Sequence, residues 1–144
     1  MIYLFDTSAI INLIQKKKKD AAGILKGQYT SDLAYYEAGN VIWKLHLRKL
    51  LTAKECKEIL DDIRGIWEQM QVISYSTMHM ISIFEIVLAQ KLSFYDASYL
   101  FYRQHLDAFF ITDDEKLHDA AAESGQVDYS TRFDIKENAS TLGN

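Results

Sequence analysis

Short apolar runs alternate along this chain with longer stretches of helical spacing. Residues 2–5, Ile-Tyr-Leu-Phe, stop at Asp6. A run this short and this continuous predicts a buried strand. Further strands are predicted at 28–31, 72–74, 109–112 and 126–129. Between them, apolar side chains spaced by three or four residues predict helices over 9–14, 33–49, 52–69, 78–90, 93–104 and 112–124. Punctuation agrees with this reading. Thr7 or Ser8 can cap the first helix. Thr52-x-x-Glu55, Ser93-x-x-Asp96 and Thr112-x-x-Glu115 have the form of capping boxes, which makes Thr112 the expected cap of the last helix. Leu50-Leu51 joins two helices as a tight hairpin, and Gly125 ends the last helix. Proline is absent, so nothing interrupts the helices. Strands alternating with helices imply right-handed crossovers and an α/β fold, a parallel sheet covered on both faces.

Composition narrows the class. With 144 residues, 49% hydrophobic and 25% charged, the chain is long enough for one domain that buries roughly 68–70% of its unfolded surface. That domain is expected over 1–129, with 130–144 a polar tail that frays or joins the same unit. No apolar run approaches the roughly 20 residues that span a bilayer. The first apolar stretch lacks a preceding basic segment, so no signal peptide is expected. A single cysteine, Cys56, suits a reducing cytoplasm. The net charge of −4 gives weak non-specific attraction to nucleic acid. The lysine run 16–19 is read as a solvated helix end, with RNA contact as the alternative. The 6 glycines form neither G-x-G-x-x-G nor a G-K-[ST] loop, which excludes the common nucleotide-binding enzymes.

The candidate chemistry lies in acids placed where strands turn into helices. Asp6 closes the first apolar run, and Asp113 and Asp114 follow Phe109-Phe110-Ile111-Thr112. Asp96 stands one turn inside a helix. Glu37 shares a helical stripe with Asn40 and Lys44 amid apolar neighbours. In open parallel sheets, ligands bind outside the carboxyl ends of the strands. Acids clustered there invite a hard divalent cation. Taken singly, each acid has a structural explanation as a helix cap or first-turn acid; their joint placement favours a site. Oxygen donors suit Mg²⁺ or Mn²⁺, whereas Zn²⁺ more often takes His and Cys. The histidines, His46, His79, His105 and His118, show no ligand spacing and are read as packing or surface residues. Trp43 and Trp67 are read as core or interface, with base stacking as the alternative.

Four motifs carry a family resemblance: Leu4-Phe5-Asp6-Thr7-Ser8-Ala9, Tyr36-Glu37-Ala38-Gly39-Asn40, Ser93-Phe94-Tyr95-Asp96-Ala97-Ser98 and Ile111-Thr112-Asp113-Asp114-Glu115-Lys116-Leu117. In this order and spacing the chain, from Ile2 to about Val127, resembles the PIN-domain ribonucleases, especially the VapC-like toxins of prokaryotic toxin–antitoxin pairs. The resemblance implies a three-layer α/β/α fold with a short central parallel sheet. It implies a metal-dependent endoribonuclease whose acids are Asp6, Glu37, Asp96 and Asp114. Asp6 and Asp96 would hold Mg²⁺ or Mn²⁺ directly, and Glu37 and Asp114 would act directly or through water. Thr7 or Ser8 would supply a hydroxyl beside the site, and Asn40 and Thr112 would support the acids. Asp113 would lie near solvent and the helix dipole. An antitoxin protein and an RNA would be the partners. A homodimer is also implied, and the helix crowded with Tyr99, Phe101 and Tyr102 is its candidate face. Two other readings compete. A phosphatase-like hydrolase with Asp6 as nucleophile is disfavoured, because Ser8 stands where a second acid is needed. A catalytically silent PIN scaffold would bind RNA or protein without cutting.

Overall fold

The structure, a computed structural model, describes residues 1–134. Five short strands make one parallel sheet: β1 (Tyr3–Phe5), β2 (Tyr29–Ser31), β3 (Gln71–Ile73), β4 (Phe109–Ile111) and β5 (Val127–Asp128). Their order is β3-β2-β1-β4-β5. Seven helices connect and cover them: α1 (Thr7–Lys17), α2 (Lys19–Leu25), α3 (Leu33–Leu47), α4 (Ala53–Trp67), α5 (Met80–Gln90), α6 (Phe94–Leu106) and α7 (Glu115–Ala122). The expected α/β architecture with a parallel sheet is therefore the one adopted. Among the described residues, no helix is long and apolar enough to cross a membrane.

Period-two alternation sorts the central strands between two cores. Phe5 and Ile111 face one core, with Ala9, Ile10 and Leu13 of α1 and Ile63 and Trp67 of α4. Leu4 and Phe110 face the other, with Ile83 of α5, Leu100 of α6 and Leu117 of α7. β1 is central because both of its faces are apolar. It pairs with β2 at Leu4–Tyr29 and with β4 at Leu4–Phe110 and Phe5–Ile111. The chain builds β2 and β3 on one side of β1, then returns to place β4 and β5 on the other. Strand order thus reverses between β1 and β4, and the carboxyl ends of these two strands border the resulting crevice.

Local signals explain most boundaries. Thr52 and Glu55 form a true capping box at α4. Ser93 caps α6 by accepting from the Asp96 N–H. α2 was not expected. Its sequence, Lys-Asp-Ala-Ala-Gly-Ile-Leu, is short and interrupted by glycine, and only Ala21 and Leu25, four apart, are buried. Packing against α1 stabilises it, not propensity. The lysine run spans this junction: Lys16 and Lys17 end α1, and Lys18 turns the chain with φ 48°.

Trp67 is buried as expected, whereas Trp43 is exposed. The tyrosine-rich helix is a correction. Tyr99 and Tyr102 of α6 are buried inside the protomer, so they cannot form a dimer face. His79 and His105 lie with their ring centroids 5.3 Å apart, packed around Phe101. After β5, a 3-10 turn, Ser130–Phe133, lays the Phe133 ring 5.4 Å from Tyr3 and 5.7 Å from Phe5. The rest of the expected tail, 135–144, lies outside the described residues.

Arg103 is buried on α6 and locks the end of α7. It donates to the carbonyls of Ala121 (3.2 Å) and Gln126 (3.3 Å) and to Ser124 Oγ (2.5 Å). A Cβ at Gly125 would sit 2.7 Å from its Nη1. Glycine is needed there because the guanidinium is already held by three partners. Gly125→Ala is expected to destabilise by about 1–3 kcal/mol through overpacking. Arg103→Ala is expected to cost about 2–3 kcal/mol by orphaning buried carbonyls. Urea unfolding of both variants checks this, and unchanged midpoints would show that the contact is dispensable.

Candidate active site

Asp6 ends β1 and is the cap of α1. Its Oδ1 accepts from the Ala9 N–H (3.0 Å) and from Ser8 Oγ (2.7 Å). Its Oδ2 accepts from Thr112 Oγ1, at the end of β4. The side chain is thus both a helix cap and the tie between two central strands. Asp6 is only 4% exposed. Burial pushes its carboxyl up to about 7; the hydrogen bonds of Thr112, Ser8 and Ala9 oppose the shift, and the charge of Glu37 adds to it. Ser8 Oγ and Thr112 Oγ1 lie 3.4 Å apart. Each hydroxyl has one proton, and both protons go to Asp6, so this contact is not a further hydrogen bond. Two donors occupy Oδ1 and one occupies Oδ2, which leaves one acceptor position on Oδ2.

Glu37 reaches the same place from α3. Its Oε1 accepts from Tyr99 OH (2.8 Å) and Thr7 Oγ1 (3.1 Å). Burial, then the charge of Asp96, raises its carboxyl above the ordinary range. Asp96 projects from the first turn of α6 beyond its Ser93 cap. Burial raises it as well, the charge of Asp114 adds to this, and nearby Lys116 opposes it. Asp6, Glu37, Asp96 and Asp114 therefore form a chain of acids in which each feels the next. Asn40 lines a cleft of about 430 Å³ with Glu37, Tyr36, Leu33 and Tyr95.

Two expectations at the β4–α7 junction are corrected. The cap of α7 is Asp114, whose Oδ1 accepts from the Leu117 N–H at 2.9 Å. Thr112 still belongs to the sheet, donating its N–H to Asp128 O (3.1 Å), and its hydroxyl is committed to Asp6. That hydroxyl also accepts from the Asp114 N–H at 3.1 Å, so Thr112 positions the acid rather than the helix. Asp113 does not point to solvent beside the helix dipole. Its carboxylate accepts from Asn12 Nδ2 (2.7 Å), the Ser130 N–H (2.7 Å) and Ser130 Oγ (2.5 Å). It latches α1 and the final 3-10 turn to the end of β4.

Sequence reasoning missed Tyr99, Lys116, Asn12 and Ser130. Tyr99 stands three residues after Asp96, on the same face of α6, and that spacing is the signal that would have found it. The acids offer only oxygen donors, and this chemistry fits a hard divalent cation. Among the described residues, however, no three acid, histidine or cysteine side chains are already grouped to enclose an ion.

Residues 3–123 match the PIN domain family. Ribonuclease VapC3 of Pyrobaculum aerophilum is 27% identical over 122 residues, covering 81% of this chain and 92% of the relative. Among solved structures, a Pyrobaculum aerophilum protein superposes with a TM-score of 0.77 at 21% identity, covering 96% of this chain and 90% of the other. VapBC-1 of nontypeable Haemophilus influenzae gives 0.61 at 18% identity, with 91% and 99% covered. A toxin–antitoxin complex of Klebsiella pneumoniae gives 0.55 at 19%, with 78% and 86% covered.

The raised acids set the pH response of the metal-free protein. Asp6 moves from 3.8 to about 7 on folding, and Glu37 and Asp96 move the same way. The folded state then holds more protons than the unfolded state. The stability these three groups contribute is fully present below the ordinary carboxylate values and is lost as pH rises through the folded ones. In EDTA, the melting temperature is expected to fall between about pH 4 and pH 7. Glu37→Gln keeps an acceptor for Thr7 and Tyr99 and removes the charge. It is expected to melt above the wild type at pH 7. The gap should close at pH 4. A melting temperature that rises across this range would contradict the burial cost assigned to these acids.

Proposed function

Because the chain belongs to the PIN domain family, we propose that it is a divalent-metal-dependent endoribonuclease, the toxin of a toxin–antitoxin pair. One observation carries the reading: Asp6, Glu37 and Asp96 converge on the strand-order reversal near enough to feel one another's charge, and burial raises the carboxyl pKa of each. Mutual repulsion among partly buried acids costs stability beyond what the Asp6 cap returns, and a cation taken up by the site would offset that cost. Asp6 through Oδ2, Asp96, Glu37 and Asp114 would hold Mg²⁺ or Mn²⁺. When bound, the ion activates water and neutralises charge on the phosphate being cut.

The remaining work falls to the chain's own groups. Thr112 and Ser8 fix the Asp6 carboxylate, and Thr7 and Tyr99 fix Glu37. Glu37 is the acid best placed to orient or deprotonate an attacking water, because both of its donors land on one oxygen and the other carboxylate oxygen is free to serve. Lys116, beside Asp96, offers a positive charge to the phosphate.

The named activities of the relatives support RNA as substrate and an antitoxin as partner. A reducing, cytoplasmic setting is also part of the proposal and rests on the single cysteine, Cys56. A homodimer is part of the proposal. Its face is better sought on α5, where Ile81, Phe84 and Leu88 are exposed at helical spacing. The silent-scaffold reading draws on the lack of a pre-grouped metal triad. Titration with Mn²⁺ separates the two, since a silent scaffold has no need to bind the ion.

Purified protein is expected to cut single-stranded RNA with Mg²⁺ or Mn²⁺ and to stop in EDTA. Asp6→Asn and Asp96→Asn should each lower the rate by roughly 100-fold or more. Asparagine still caps helices, so Asp6→Asn should keep the fold. Asp114→Asn should lower the rate more than Asp113→Asn, which should instead lower the melting temperature by loosening the latch on Ser130. Undiminished cleavage by both Asp6→Asn and Asp96→Asn would sink the site. Expression of the chain alone should slow growth, and a co-encoded protein should relieve it.

A further inference from the structure

We propose that the aromatic cleft next to the acids is a subsite for one unpaired nucleobase of the substrate strand, the base flanking the scissile phosphate. This rests on the ribonuclease reading above. The cleft measures about 370 Å³, and its walls include Tyr36, Tyr75, Phe94, Tyr95 and Tyr102, with Asp32 among them. It runs into the catalytic cleft: Leu33, Tyr36 and Tyr95 line both. Tyr36 immediately precedes Glu37 on α3, and Tyr95 immediately precedes Asp96 on α6. Two helices therefore present the same pair, a tyrosine beside an acid, on the two sides of one opening.

These rings are not there for the core. Tyr36 is 81% exposed and Tyr95 62% exposed. Behind them, Tyr75 and Phe94 hold each other edge to face at 6.2 Å, and Tyr102 OH accepts from the Ser76 N–H at 3.4 Å. The floor is braced while the mouth is open. Asp32 is fixed as well, its Oδ2 accepting from the Tyr75 N–H at 3.1 Å. Its carboxylate still has acceptor positions for the amino or ring N–H groups of a base edge.

Charge explains why a base, rather than the backbone, must supply the affinity. The chain carries a net charge of −4, and the acids repel a phosphodiester before any cation neutralises them. What remains attractive in a nucleotide is its flat, uncharged ring. Aromatic side chains bind such rings by stacking, with little regard to sequence. A base already paired in a duplex is unavailable, so the subsite selects single strands or loops.

The test uses the full chain carrying Asp6→Asn, with Mg²⁺ present, to measure binding without cleavage. The probes are a labelled hexaribonucleotide and an abasic ribose-phosphate strand of equal length. The base-containing strand is expected to bind about tenfold or more tightly, as base–aromatic stacking predicts. Adding Tyr36→Ala or Tyr95→Ala should erase most of that advantage, whereas Tyr36→Phe and Tyr95→Phe should keep it. Both tyrosines are exposed, so folding should survive, and circular dichroism checks this. Equal binding of the two strands, or alanine variants that bind RNA like their parent, would overturn the subsite. The latter result would leave a protein side chain as the occupant. Cleavage by the wild-type chain separates the two proposals. Cleavage with kcat/KM untouched by the tyrosine variants keeps the nuclease and removes the subsite. Base-dependent binding without wild-type cleavage keeps the subsite and removes the nuclease.

Discussion

A carboxylate with almost no access to water, at the end of the central strand, sets terms for everything around it. Burying the ionised form of Asp6 is expensive, and the fold answers with three neutral donors rather than a cation. Two of those donors lie in the first turn of α1, and the third, Thr112, directly follows β4. The strand order follows from the same need, since Thr112 reaches Asp6 only if β4 lies directly against β1. The donors soften the burial cost without removing it, and the carboxyl stays well above its ordinary range. As a cap, Asp6 spends one oxygen on the helix and the other on Thr112, and one acceptor position on that second oxygen stays open.

The rest of the site repeats this economy. Glu37 collects the hydroxyls of Thr7 and Tyr99 on a single oxygen. Asp114 caps α7 with one oxygen and still lends its charge to Asp96. Neutral hydroxyl and amide groups orient every acid, and Lys116 is the cation that bears on Asp96. Such a site is ordered but electrostatically unfinished. The charged groups of the site and the uncharged rings of Tyr36 and Tyr95 thus lie side by side at one opening.

Legibility in the sequence tracked the range of the interaction involved. β1 and β4 were visible as apolar runs because both of their faces are covered. The Thr52–Glu55 and Ser93 caps were visible because cap and capped group lie three residues apart. Thr112 misled for a physical reason. Its hydroxyl has a local option in the following helix and a distant one in Asp6, and the buried carboxylate is the stronger acceptor. With Thr112 taken, the helix begins two residues later on Asp114. Asp113 misled likewise, because its partners Asn12 and Ser130 are distant in sequence. α2 was hidden because a seven-residue helix with two buried side chains carries almost no pattern of its own. Tyr99 was visible as an aromatic residue but not as a partner of Glu37, since that pairing spans 62 positions.

The bond between Thr112 and Asp6 joins residues 106 positions apart. Long separations of this kind close late, after nearer contacts have restricted the chain. During synthesis, which proceeds from the N-terminus, β1 emerges first and must wait, unpaired on one edge, until β4 has left the ribosome. Until then Asp6 lacks its second anchor, Glu37 lacks Tyr99, and the acids do not meet. A site assembled this way is withheld from the nascent chain for most of its translation, so it exists only once the domain that carries it is nearly complete.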